Sequence, residues 1–132
     1  MNTTVRDLLD TIRGHFDQFK LPELYSVHVI TISDEPRVSA QLAAHHPSQI
    51  ITDLLTWAST LTHLTLEAWR EPSGQAVHLS VTGQLAEEVT IRVYGALPIT
   101  PHVPGADLAP GASATVPLTV LRHLATPKEV IS

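Results

Sequence analysis

The tightest constraint on how this chain can fold lies in Thr62 to Gly95, THLTLEAWREPSGQAVHLSVTGQLAEEVTIRVYG, where three successive runs alternate apolar with polar residues. Leu64, Leu66 and Ala68 alternate with Thr65, Glu67 and Trp69. Val77, Leu79 and Val81 alternate with His78, Ser80 and Thr82, and Val89, Ile91 and Val93 with Thr90, Arg92 and Tyr94. A period of two puts each apolar set on one face of a strand. Three such strands need a second layer over their shared apolar face. Pro72 and Gly74 supply turn chemistry between the first two runs. With Pro72–Ser73 as the apex, Leu66 faces Leu79, Ala68 faces Val77 and Glu67 faces His78. A second turn through Gly83 to Glu87 sets Leu79 against Ile91 and His78 against Arg92. A slip of one residue would bury the polar set, so the faces are fixed by the pattern. The polar face then carries a row Glu67–His78–Arg92 flanked by Trp69 and Tyr94.

The covering layer is legible on both sides of this meander. Val5, Leu8, Leu9, Ile12, Phe16 and Phe19 share one narrow arc of a helix, with Thr3 or Thr4 as N-cap and Pro22 past its end. A second helix runs from Ser48 to about Leu61, with Pro47 suited to its first turn. Its stripe of Ile51, Leu54, Leu55, Ala58 and Leu61 is widened by Ile50 and Trp57, which implies burial on more than one side. Either neighbouring segments or another chain must cover Trp57. Between the helices, Leu24–Ile32 and Arg37–Ala43 read as a hairpin turning at Ser33–Pro36. After Ala96, five of the ten prolines fall between Pro98 and Pro117, with Gly105 and Gly111 among them. That segment reads as a strap or linker. Leu118–Ala125 then forms a short helix with Val120, Leu121 and Leu124 on one side, too short to stand undocked.

These readings give an α+β chain in the order α-β-β-α-β-β-β. The expected architecture is a two-layer sandwich: a mostly antiparallel five-stranded sheet with two amphipathic helices on one face. The expected organisation is an α+β domain over 1–97, a Pro/Gly-rich strap or linker over 98–117, and a short helix with a tail over 118–132.

Composition excludes several functions. Lys and Arg number 8 against 13 acids, a net charge of −5, with no basic cluster to meet phosphates. Nucleic acid is therefore not an expected partner. The chain has no cysteine, which removes disulfides, thiolate metal sites and cysteine catalysis. No apolar run approaches the ~20 residues of a membrane helix, and the first residues lack a signal peptide's basic start and apolar core. A cytoplasmic protein without membrane contact is expected.

Three groups of residues are candidates for function. His45-His46, at the entrance to the second helix, could contribute to a small-molecule pocket. The eight histidines show no H-x₃-H spacing, so no metal or other cofactor is expected. Glu67 with His78 has the residue types of an acid–base pair, but no positioned nucleophile or phosphate loop accompanies it. Cross-strand opposite charges also arise simply because they stabilise an exposed sheet face. The third group is Trp69, Tyr94, Arg92, His78 and Glu67 on one face, with Trp57 on the wide helix. Trp, Tyr and Arg are the types that dominate protein-binding hot spots. The expected function is a non-enzymatic interaction module, self-associating or a small subunit of an assembly. The alternative is a small-molecule binder or enzyme using His45/His46 or Glu67/His78 in a pocket between sheet and helices.

Overall fold

The computed structural model describes residues 4–31, 37–86, 89–101 and 103–125. Within them the chain is α+β: α1 (Val5–Gln18), β1 (Leu24–Ile30), β2 (Arg37–Leu42), α2 (Pro47–Ala58), β3 (Thr62–Arg70), β4 (Ala76–Ala86), β5 (Val89–Pro98), β6 (Ser113–Thr115) and α3 (Leu118–Ala125). The sheet has six strands, one more than expected, in the order β1-β2-β5-β4-β3-β6. All neighbours are antiparallel except β2 and β5, which the α2 crossover and the following meander bring together in parallel. The expected hairpin turn at Ser33–Pro36 lies outside the described residues.

Local signals set the helix boundaries. Thr4 caps α1 through a reciprocal box, its hydroxyl accepting from the Asp7 amide while the Asp7 carboxylate accepts from the Thr4 amide. Those bonds hold the Asp7 carboxyl below its usual pKa. His46 caps α2, and Pro47 occupies its first turn.

One continuous core lies between sheet and helices. Val77, Leu79, Val81, Ile91 and Val93 are fully buried on the inner face, beneath Leu8 of α1, Ile50 and Leu54 of α2, and Leu121 of α3. At roughly 1.5–3 kcal/mol for each large apolar side chain removed from water, this layer supplies most of the drive to fold. Gly95 lets α2 sit close to β5, since a Cβ there would fall 2.7 Å from Ile50 Cγ2.

The stripe expected for α1 is only half right. Leu8 and Ile12 are buried, but Val5, Leu9 and Phe16 are exposed, and His15 takes a buried place instead. Its Nε2 lies 2.8 Å from the Thr60 hydroxyl, which itself donates to the Trp57 carbonyl. The hydroxyl has one proton to give, so His15 is the donor and carries its proton on Nε2. This bond ties the last turn of α1 to the residue after the α2 C-cap, and burial lowers the His15 pKa.

The proline-rich segment runs back over the same sheet. The amide of Ile99 donates to Gln75 O, that of Gly111 to Arg70 O, and that of Val116 to Leu66 O. Arg70 joins it to the β3–β4 turn: Nη1 donates to Leu108 O at 2.6 Å and to Ala106 O at 3.2 Å, and Nη2 to Gly74 O of the turn at 3.0 Å. Gly105, at φ +86°, passes so close to β3 that a Cβ would meet Ala68 Cβ at 2.9 Å. β6 then closes the β3 edge through Glu67↔Thr115, Ala68↔Ala114 and Trp69↔Ser113.

Candidate functional site: the outer sheet face

The register differs from expectation at both turns of the meander. Leu66 faces Val81, Ala68 faces Leu79 and Glu67 faces Ser80, a shift of two residues from the expected pairing. The tight turn spans Glu71–Gly74, with Gly74 in the left-handed region at φ +75°. On the other side Leu79 faces Gly95, Val81 faces Val93 and Gly83 faces Ile91, a shift of four. The expected turn at Gly83 does not form, because β4 continues through it to Ala86. Gly83 serves close approach instead: a Cβ there would lie 2.9 Å from Leu61 Cβ and 3.0 Å from Thr62 O. Its neighbour across the sheet is a bulge in β3, where His63 has φ +54°.

The outer face is consequently organised as an oblique ladder. Trp69 faces His78 across β3 and β4, with ring centroids 5.1 Å apart at 76°. His78 stacks on Tyr94 of β5 at 6.0 Å and 18°, and the Arg92 guanidinium lies 5.0 Å above the Tyr94 ring. Edge-to-face and offset contacts follow the ring quadrupoles, and a cation over Tyr adds about 0.5–1 kcal/mol. Beneath the ladder Ser80 is buried, shielded by these larger side chains, while Trp69, His78, Tyr94 and Arg92 each remain partly exposed.

The expected pairing of His78 with Glu67 is therefore corrected. The acid beside His78 is Glu71, from the turn, with Oε1 3.2 Å from Nε2. That separation permits ion pairing with a protonated ring but lies off the line of a hydrogen bond, so Nε2 has no aligned partner. Nor does Arg92 face His78; its cross-strand neighbours are Thr82 and Ser39. Glu67 is exposed on the same face, one row from the ladder.

Trp57, expected on a binding surface, is fully buried in α2. His15 stacks on it at 5.8 Å and Phe16 meets it edge-on at 5.6 Å, so α1 of the same chain covers Trp57. Its indole N–H has no acceptor among the described residues. His46 is occupied in capping α2, accepting from the Ser48 amide, and His45 is exposed beside it. Among the described residues no hydrogen bond or ring contact joins this pair to His78.

Among the described residues no group of three or more His, Asp or Glu side chains could hold a metal ion. No described helix is long and apolar enough to cross a membrane. A depression of about 230 Å³ lies between α2, β3 and α3, lined by Leu55, Ala58, Ser59, Leu64, Leu118 and Arg122, away from every candidate residue. Sequence reasoning missed Glu71, which had no strand pattern to place it, and the burial of Ser80, which only the shifted register creates. No protein-family model matches the chain, and no curated protein or solved structure is significantly similar to it.

Proposed function

We propose that this chain is a non-enzymatic protein-interaction module, a self-associating protein or a small subunit of an assembly, whose recognition surface is the outer sheet face. The observation that carries this reading is the Trp69–His78–Tyr94–Arg92 ladder, half-exposed on the face opposite the helical layer. Each of these side chains offers a large flat area with a polar or charged margin, and packing against its neighbours lowers the entropy lost when a partner binds. Ser39, Gln41 and Thr82, half-buried beside it, supply hydrogen-bonding groups around a central aromatic patch, the arrangement of a protein interface core and its rim.

Among the described residues the inner sheet face and the helices meet through buried apolar side chains, which favours this over a pocket-based enzyme. The two candidate acid–base sets are also separate: His46 is committed to its cap, and Glu67 faces Ser80 in place of His78.

A photo-cross-linking residue at Thr82, beside the ladder, tests the proposal in the cell that makes the protein. A discrete adduct is expected from position 82, reduced by Tyr94→Ala with Arg92→Ala, and none from position 10 on α1. Equal or absent adducts at 82 and 10, in variants that fold normally, would overturn it.

A further inference from the structure

The two edges of the sheet are finished differently. The β3 edge is closed by β6, only three residues long and preceded and followed by Pro110 and Pro117, which stop further pairing. Among the described residues β1 has a strand neighbour on one side alone. It is seven residues long, Leu24-Tyr25-Ser26-Val27-His28-Val29-Ile30, without Pro, Gly, Lys, Arg, Asp or Glu. Proteins normally blunt such an edge with charge, proline or a bulge. β1 has a bulge only at its first residues, between Leu24 and Ser26, and Ser26–Ile30 pair one to one with β2. Tyr25 is 74% exposed, Val27 39% and Ile30 40%.

We infer that β1 pairs antiparallel with β1 of a second copy about a two-fold axis through Val27, joining two six-stranded sheets into one. Around that residue the regularly paired part of the strand matches itself: Val27 meets its own copy and Ser26 meets His28, polar with polar, while Val29 and Ile30 meet the apolar Tyr25 and Leu24 at the bulged end. A two-fold interface requires such self-complementarity. Charge points to the same occupant. The chain carries a net −5, so two copies repel, and a seam without Asp, Glu, Lys or Arg brings no carboxylates into contact. α1 packs on β1, and its Val5 and Leu9 are exposed. The inference extends the reading of an interaction module but rests on a different surface from the ladder.

The absence of cysteine makes the test direct. Paired residues facing each other across antiparallel strands have Cα atoms about 4.5–5.5 Å apart, within reach of a disulfide. Val27→Cys should form a covalent dimer on mild oxidation much faster than Leu64→Cys, an exposed residue elsewhere. In sedimentation the wild type should give twice 14.3 kDa. Val27→Lys, which sets two like charges on the axis, should give 14.3 kDa with unchanged circular dichroism. A monomeric wild type, an undisturbed Val27→Lys dimer, or equal cross-linking at 27 and 64 would each overturn the inference. Tyr94→Ala with Arg92→Ala should leave the dimer intact. A monomeric chain that still cross-links a partner from position 82 would sink this inference and spare the proposed function.

Discussion

The same substitution at two glycines should move stability in opposite directions. At Gly95 an added Cβ would lie 2.7 Å from Ile50 Cγ2, where carbon atoms ordinarily approach to about 3.5–4.0 Å. α2 or the Ile50 side chain must therefore yield by about 1 Å in a fully packed layer. Overpacking of this kind costs about 1–3 kcal/mol, and removing a strand glycine returns about 0.5–1 kcal/mol of backbone entropy. The net is a loss of about 0.5–2 kcal/mol. Gly14 lies on the exposed side of α1, and nothing stands within 4 Å of a Cβ built there. Alanine at that position should gain about 0.8–1 kcal/mol of helix propensity.

An unfolding entropy of about 2.1 cal/mol/K per residue gives about 0.28 kcal/mol/K for a chain of 132 residues. Gly95→Ala should accordingly lower Tm by about 2–7 °C, and Gly14→Ala raise it by about 3 °C, in calorimetric scans at neutral pH. Ile50→Leu removes the crowding Cγ2 at nearly constant volume, so it should cost less beside Gly95→Ala than alone, by at least about 0.5 kcal/mol. If Gly95→Ala melts as high as Gly14→Ala, or the double mutant is additive, α2 does not sit on β5 as described.

Two further predictions concern the anchors of the fold. Burial lowers the His15 pKa, so the unfolded chain takes its proton first as pH falls. The stability tied to neutral His15 is whole above the unfolded value near 6.5 and is lost as pH drops from there toward the lowered folded value. Denaturant midpoints should fall more between about pH 7.5 and 5 for the wild type than for His15→Gln, and parallel declines would refute this. Arg70→Met removes the guanidinium bonds to the strap carbonyls of Ala106 and Leu108, at a cost of about 1.5–3 kcal/mol. Amide exchange at Gly111 and Ala112 should accelerate relative to Leu79, and unchanged protection there would show that the strap is held without Arg70.

What the sequence revealed of this fold follows from where burial leaves a periodic trace. Val77, Leu79 and Val81 announced their face because each neighbours a polar residue, and Thr4 and Pro47 marked helix starts because capping is local. β6 left no trace, since Ser113-Ala114-Thr115 is exposed on every residue and is held by main-chain bonds that any sequence can make. The exposure of Val5, Leu9 and Phe16 was illegible for a different reason. A helix pattern gives the width of an apolar stripe, whereas the anchor that selects which part is buried, His15 on Thr60, joins residues 45 positions apart.

The candidate site shows how far such reasoning reaches. Both register shifts are even, two residues at one turn and four at the other, and an even shift returns every side chain to its own face. Trp69, His78, Arg92 and Tyr94 therefore share the outer face whether the turn lies at Gly83 or beyond it. Face membership is fixed by a period of two that burial enforces on each strand separately. Neighbour relations are fixed by loop length, which burial constrains only to the nearest two residues. That is why the aromatic surface could be read from sequence while the acid beside His78 could not: Glu71 stands in the turn itself, where no period operates. A single-residue deletion in the 71–75 loop cannot be met by an even shift, so a tighter turn or a bulge must absorb it, and a lower Tm is expected. A two-residue deletion would permit an even one, leaving the core face buried while separating Trp69 from His78.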